Sequence, residues 1–293
     1  MGLFVNSKSA CAEVNECAQA SLFEHTIAGH TILANRPIRG VRRDRSRGTA
    51  IRFHFSGAAT DDGPEFKIGE SDADWYRLPH YSAARALIDH NGERVIVHEA
   101  EQKTVDRAAL VRFFVPFAAA LQGFVILHAS AVCVEGKVIA FVGASGAGKS
   151  TIAQSLATQG FASVADDLLP IDAAKGKVSI FGSASYSCSE RDLPLSAVYF
   201  MARDFQIDQA QFSQLTQQGS LLALLRHGFG EIADTAVWRT QFLGYEQIAL
   251  EVPAWSLQVP DSQAALPATL HQITQEIRRH SRQLATLARE SPA

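Results

Sequence analysis

The chain has 293 residues, of which 47% are hydrophobic and 19% are charged, and its formal net charge at pH 7 is −3. This length and composition are typical of a globular protein with two domains of unequal size. The small net charge provides no electrostatic footprint for nucleic acid or an anionic membrane, and no window approaches the roughly 20 apolar residues that span a bilayer.

The N-terminal segment, residues 1–20, contains Lys8, Glu13 and Glu16 and lacks the apolar core of a signal peptide. The four cysteines form no C-x-x-C pair and no Cys/His spacing typical of metal sites: Cys11, Cys17, Cys133 and Cys188. Reduced thiols are therefore expected. Together these features predict a cytoplasmic protein.

Short strand-like segments fill the first hundred residues, at 31–33, 50–55, 65–68, 74–78 and 94–98. Residues 50–55 alternate apolar and polar side chains with a period of two, as a half-buried strand does. We therefore predict a small, mostly β domain over residues 1–102. An arginine-rich run, residues 36–47, has two open interpretations: a docking site for an acidic or phosphorylated substrate, or a solvated loop.

A helix is predicted to begin at Thr104 as its N-cap, with Leu110, Val111 and Phe114 on its apolar side. Pro116 should kink or divide this helix before it stops at Gly123. We place the domain boundary before the helix, so that residues 103–293 form the second domain.

A β-hairpin follows, because residues 124–134 and 137–142 read as strands joined by the two-residue turn Glu135-Gly136. If Val134 pairs with Lys137, the same register places His128 opposite Gly143. A lone histidine in an apolar strand is ordinarily a core residue, but this register makes His128 a candidate site residue.

A glycine-rich loop follows the second strand and precedes a predicted helix over residues 150–159. It fits the pattern G-x-x-x-x-G-K-[ST] and consists of Gly143, Ala144, Ser145, Gly146, Ala147, Gly148, Lys149, Ser150 and Thr151. In such a loop, backbone N–H groups and the N-terminus of the helix face phosphate oxygens. Lys149 is expected to reach the outer phosphates and Ser150 to hold Mg²⁺, so the loop predicts binding of ATP with magnesium.

Two adjacent acids, Asp166 and Asp167, end the next predicted strand, residues 161–165. The carboxyl ends of parallel strands share one edge of a sheet, which is where ligands bind in α/β folds. Consecutive side chains leave opposite faces, so one acid can face the magnesium and the other an incoming acceptor. A turn-capping role is the alternative interpretation.

Further strands are predicted at 195–201 and 255–259, a helix at 215–226, and a terminal helix with an apolar stripe that begins at Leu270. Several cationic residues could clamp phosphate or acceptor, and the sequence does not choose among them: Arg191, Arg203, Arg226, His227 and Arg239.

The segments Leu127-His128-Ala129-Ser130, Gly143–Thr151, Gly160-Phe161 and Ala165-Asp166-Asp167 resemble the catalytic domain of the HPr serine kinase/phosphorylase family and its HPr-kinase-related members. The resemblance implies an α/β fold with a P-loop kinase core of the HPr kinase and PEP carboxykinase type beside the mainly β N-terminal domain. It also implies that His128 sits by the transferred phosphate, that Asp166 is the general base, and that Asp167 joins Ser150 in the metal shell.

The sequence thus predicts an ATP-dependent kinase that transfers the γ-phosphoryl group to a hydroxyl, with serine the first candidate, of a peptide, protein or small-molecule acceptor. The glycine-rich signature that follows the acid pair in HPr kinases is not found, so the acceptor and any reverse activity stay open, as does assembly into a homo-oligomer. Two alternatives remain: a nucleotide-dependent scaffold without kinase activity, and a PEP carboxykinase-like metabolite kinase.

Overall fold

A computed structural model describes residues 23–27, 30–34, 36, 38, 50–56, 71–72, 75–81, 84–99, 106–173, 179–180, 193–228 and 235–290. The predicted strand at 65–68 and the arginine-rich run beyond residue 38 lie outside these ranges. Across them the protein is mixed α/β, with two mixed seven-stranded sheets and five helices. None of the described helices combines the length and apolar character needed to cross a membrane.

The chain divides into two compact units, residues 1–122 and 123–293. The first helix contacts three strands of the N-terminal sheet and so groups with the first unit. The division therefore falls after this helix, whereas the predicted boundary lies before it, between residues 102 and 103. The physical reason is that the apolar face of the helix covers the N-terminal sheet.

The first unit contains a sheet with the strand order β1-β2-β3-β7-β6-β5-β4. Its strands are β1 (Phe23–Ile27), β2 (His30–Ala34), β3 (Ala50–Ser56), β4 (Ser71–Asp72), β5 (Trp75–Tyr81), β6 (Ala84–Asp89) and β7 (Arg94–Glu99). The predicted alternation is confirmed in β3, where Ile51, Phe53 and Phe55 are buried and Arg52 is exposed. The turn between β6 and β7 is held by Asp89, whose Oδ1 accepts hydrogen bonds from the backbone N–H groups of Glu93 and Arg94.

Helix α1 (Arg107–Leu121) differs from the prediction in two features, its N-cap residue and the effect of Pro116. Its N-cap is Asp106 and not Thr104, because the Asp106 carboxylate accepts from the N–H groups of Ala108 (2.9 Å) and Ala109 (3.3 Å). The helix also continues through Pro116 without a break. Pro116 is buried with its neighbours, so packing holds the helix together despite the missing N–H group.

The second unit contains a sheet with the order β11-β10-β8-β9-β12-β14-β13, in which β9, β12 and β14 are parallel and the other pairings are antiparallel. Its strands are β8 (Val125–Val134), β9 (Lys137–Gly143), β10 (Ala162–Asp172), β11 (Ser179–Ile180), β12 (Leu193–Asp204), β13 (Gln211–Gln214) and β14 (Ala254–Pro260). Its helices are α2 (Lys149–Thr158), α3 (Gln217–His227), α4 (Thr235–Glu251) and α5 (Leu266–Glu290).

Both faces of this second sheet are covered by helices, which explains why its central strands are almost continuously apolar. On one face, Leu224 of α3 and Ile248 of α4 pack against Val142 and Phe200. On the other face, Ile152 and Leu156 of α2 pack with Phe141, Tyr199 and residues of α5, including Ile273 and Ile277. The apolar stripe of the terminal helix therefore packs on the core.

Strand β10 is longer than predicted, and this changes the position of the acid pair. Apolar residues continue past the two acids, and Leu169 and Ile171 are fully buried. The strand pairs antiparallel with β8 along almost its whole length. Asp166 and Asp167 thus lie in the middle of a strand and not at its end, and they meet β8 and not a parallel neighbour.

Candidate active site

The glycine-rich loop connects β9 to α2, so the strand and helix predicted around it are both present. Gly143 lies opposite Met201 of β12, and a Cβ atom at Gly143 would come within 2.5 Å of the Met201 carbonyl oxygen. Only glycine fits this close approach. Gly146 and the N-cap residue Gly148 have positive φ angles of 81° and 99°, which glycine adopts at little cost.

Lys149 is the first residue of α2, and its side chain folds back across the loop. Its Nζ donates hydrogen bonds to the carbonyl oxygens of Gly143 (2.8 Å) and Ala144 (3.2 Å), and the residue is only 7% exposed. A glycine N-cap carries no side chain to cover the N–H groups of the first turn. A buried positive charge and the positive end of the helix dipole therefore lie together at this point.

A cleft of about 290 Å³ opens above the loop and the start of α2. It combines loop residues, the first turn of α2, two residues of β8 and one of β12. The lining residues are His128, Ser130, Ser145, Gly146, Gly148, Lys149, Ser150, Thr151 and Arg203. A polar cleft with cationic walls and open backbone N–H groups has the chemistry of an anion site.

The predicted hairpin register is confirmed. Val134 pairs with Lys137, and the pairing continues without a shift to Ala129 opposite Val142. Glu135 and Gly136 have φ angles of 51° and 74°, as the turn of a tight hairpin requires. The next residue along β8, His128, is exposed and lines the cleft at the level of the loop.

Asp166 reaches the loop through a serine on the intervening strand. Asp166 lies opposite Ser130 in the β8–β10 ladder, and the Ser130 hydroxyl donates to Asp166 Oδ1 at 3.1 Å. The same Ser130 Oγ lies 3.5 Å from Ser150 Oγ at the start of α2. Three side chains thus connect the acid of β10 to the end of the glycine-rich loop.

Ser130 is the site residue to which the sequence assigned no role. It belongs to the segment that carries the family resemblance, and it lies two residues after His128 on the same face of β8. This spacing of two residues from His128 was the sequence signal that could have identified Ser130 as a site residue. Asp167 is the next residue of β10, opposite Ala129, but its side chain lies outside the described part of the structure. Its metal-shell role therefore stays a prediction.

Arg203 is the cationic candidate that lines the cleft. It lies at the end of β12, and its guanidinium forms an ion pair with Asp261, with Nη1 and Oδ1 2.6 Å apart. Arg239 is exposed on α4 and Arg191 lies outside the described residues.

His227, in the last turn of α3, also comes near the site, because the following Gly228 bridges to Leu127, the neighbour of His128. The imidazole stacks on Phe200 with ring centroids 6.2 Å apart. Burial lowers the pKa of His227, and the positive charges of Arg226, Lys149 and His128 lower it further. The pKa of His227 therefore depends on the charges around the cleft.

Comparisons with known proteins found little. No protein-family model matches the chain, and no curated protein matches its sequence. Among solved structures, the chain is similar to the Hpr(Ser) kinase/phosphatase from Coxiella burnetii, with a TM-score of 0.33 and 10% sequence identity over 55% of this chain and 98% of that chain. A similarity this low does not establish function, which has to be argued from the site.

A magnesium site made by protein side chains alone is not present within the described ranges, where no group of three or more His, Cys, Asp or Glu residues could hold a metal ion. Mg²⁺, however, commonly takes only one or two protein ligands and completes its shell with water and substrate phosphates. The exposed Ser150 hydroxyl, beside Lys149 in the cleft, fits that mode of binding.

Proposed function

We propose that this protein is an ATP-dependent kinase of the HPr kinase type, which transfers the γ-phosphoryl group to a hydroxyl of a peptide, protein or small-molecule acceptor. The observation that carries the proposal is the chain of contacts Ser150–Ser130–Asp166. It holds a carboxylate beside a glycine-rich loop whose lysine and helix N-terminus suit phosphate.

On the donor side, the loop N–H groups and Lys149 bind the phosphates, and His128 and Arg203 flank the transferred group from β8 and β12. The charges of Lys149 and Arg203 stabilise negative charge on the phosphoryl oxygens as it develops in the transition state. Magnesium held by Ser150 would neutralise further charge on the phosphate oxygens. Most of the rate acceleration comes from this positioning and charge stabilisation.

On the acceptor side, Asp166 is the proposed base. Ser130 donates one hydrogen bond to its Oδ1, which leaves further acceptor sites on the carboxylate for the acceptor hydroxyl. The hydroxyl proton passes to Asp166 while the acceptor oxygen forms a bond to the γ-phosphorus. The bond from that phosphorus to the β,γ-bridging oxygen breaks, and ADP leaves with the electron pair.

The first experiment is incubation of the protein with γ-labelled ATP, magnesium and a cell extract, followed by separation of protein-bound label from small-molecule label. Label on a protein or peptide identifies a protein kinase, and label on a metabolite identifies the PEP carboxykinase-like alternative. Measurable ATP affinity with no labelled product would favour the nucleotide-dependent scaffold and contradict the kinase.

A further inference from the structure

Ser130 is a fully buried hydroxyl in an otherwise apolar stretch of β8. Its exposure is 0%, as is that of its neighbours Ala129 and Ala131. Burying a hydroxyl costs free energy unless it forms hydrogen bonds, so its partners decide what it contributes. Those partners are Asp166 at 3.1 Å and, at the longer distance of 3.5 Å, Ser150.

The direction of these hydrogen bonds follows from the number of protons. A carboxylate can only accept, so the single hydroxyl proton of Ser130 points to Asp166 Oδ1. Ser130 then has only lone pairs to offer, so a hydrogen bond across the 3.5 Å contact is donated by the Ser150 hydroxyl and accepted by Ser130. The lone pairs of the Ser150 oxygen are consequently left for the cleft, which is the orientation that a cation requires.

We propose that Ser130 is a positioning residue that orients the Ser150 hydroxyl toward a divalent cation and at the same time holds the Asp166 carboxylate. This inference rests on the proposed function and extends it to a buried residue that acts through Ser150 and Asp166. It couples the metal side of the site to the base through a single buried hydroxyl. Without that hydroxyl, the Ser150 proton can turn into the cleft and oppose a cation.

The test measures nucleotide affinity, with magnesium and with EDTA, for wild type, Ser130→Ala, Ser150→Ala and the double variant. The measured quantity is the gain in affinity that magnesium provides. We expect Ser130→Ala to reduce this gain by about 3- to 10-fold, the range of one hydrogen bond, with affinity in EDTA within about twofold of wild type. In the Ser150→Ala background, Ser130→Ala should have no further effect on the gain, because the two residues act as a unit.

Ser155→Ala is the matched control. Ser155 also lies in α2, but its hydroxyl donates to the Thr151 carbonyl at 2.7 Å and takes no part in the chain of contacts. This variant should keep the full magnesium-dependent gain. If Ser130→Ala does not fold, Ser130→Cys keeps a side chain of the same shape, with a somewhat larger sulfur atom and only a weak donor, and gives the same comparison.

Three outcomes overturn the proposal: an unchanged magnesium-dependent gain in Ser130→Ala, an equal loss of affinity with and without magnesium, or additive effects of the two serine variants. Because the experiment measures binding and not catalysis, failure of the Ser130 proposal can be distinguished from failure of the kinase proposal. If wild type binds nucleotide in a magnesium-dependent way and makes no product, the kinase proposal fails while the role of Ser130 is still measured.

Discussion

The glycine-rich loop lines the cleft itself, whereas Asp166 of the acid strand is connected to the cleft through Ser130. The loop joins β9 directly to α2, and its residues are consecutive in the chain. Asp166 is separated from the loop by α2 and arrives through its pairing with Ser130 across β8. The residues that suit phosphate are therefore set by a short stretch of sequence, whereas the position of the base depends on the order of strands in the sheet. Four predictions test this division, beginning with the largest expected effect.

Asp166→Asn should reduce phosphoryl transfer by about 10²- to 10⁴-fold, the usual contribution of a general base. Nucleotide affinity should change by less than about twofold, because the amide oxygen that replaces Oδ1 can still accept from Ser130. Single-turnover transfer and equilibrium binding of ATP measure the two quantities. The control is Asp208→Asn, at an exposed position between β12 and β13. Full transfer activity in Asp166→Asn would show that the base assignment is wrong.

Lys149→Ala should weaken ATP binding and transfer together, by roughly 10- to 100-fold, because it removes a buried charge worth a few kcal/mol in charge-assisted hydrogen bonds. The matched control is Lys137→Ala, at the other end of β9. Calorimetric titration with ATP distinguishes the two variants. Unchanged ATP affinity in Lys149→Ala would contradict the phosphate-binding interpretation of the loop.

Gly143→Ala should destabilise the second unit by about 1–3 kcal/mol, the usual cost of overpacking. The added Cβ would lie 2.5 Å from the Met201 carbonyl oxygen, so β9 and β12 would have to separate at the start of the loop. Chemical denaturation measures the free energy of unfolding, and ATP titration measures the accompanying loss of affinity. A variant as stable as wild type would show that this strand contact does not constrain the loop.

When the pH falls from 8 to 6, wild type should gain more affinity for inorganic triphosphate than His227→Gln does. Burial and the charges of Arg226, Lys149 and His128 lower the pKa of His227 in the ligand-free protein. A bound polyanion opposes those charges and raises the pKa, so binding takes up a proton and strengthens as pH falls. The same pH dependence of affinity in wild type and His227→Gln would contradict this coupling. His271→Gln is the control, because His271 is exposed on the outer side of α5.

Much of the second unit could be predicted because its signals are local, but α4 was missed for a definite reason. Its buried side includes Gln241 and Gly244, while Phe242, Leu243 and Leu250 are exposed, so the hydrophobic period is obscured. Gln241 is polar because it binds the backbone of Phe124 and Ile126. Gly244 is small because a Cβ there would lie 2.0 Å from Val125. Both residues follow from contacts with β8, which a single-sequence pattern does not contain.

The sequence by itself determined the strand, loop and helix around Lys149 and the register that brings His128 to the loop. Both are short-range: they depend on glycine positions and on a two-residue turn. Only the tertiary structure decided that Asp166 lies within a strand beside β8, that Ser130 connects it to Ser150, and that Arg203 lines the cleft. The physical reason is that strand pairing brings together residues far apart in the chain, and one antiparallel ladder selects the partners of every side chain along it.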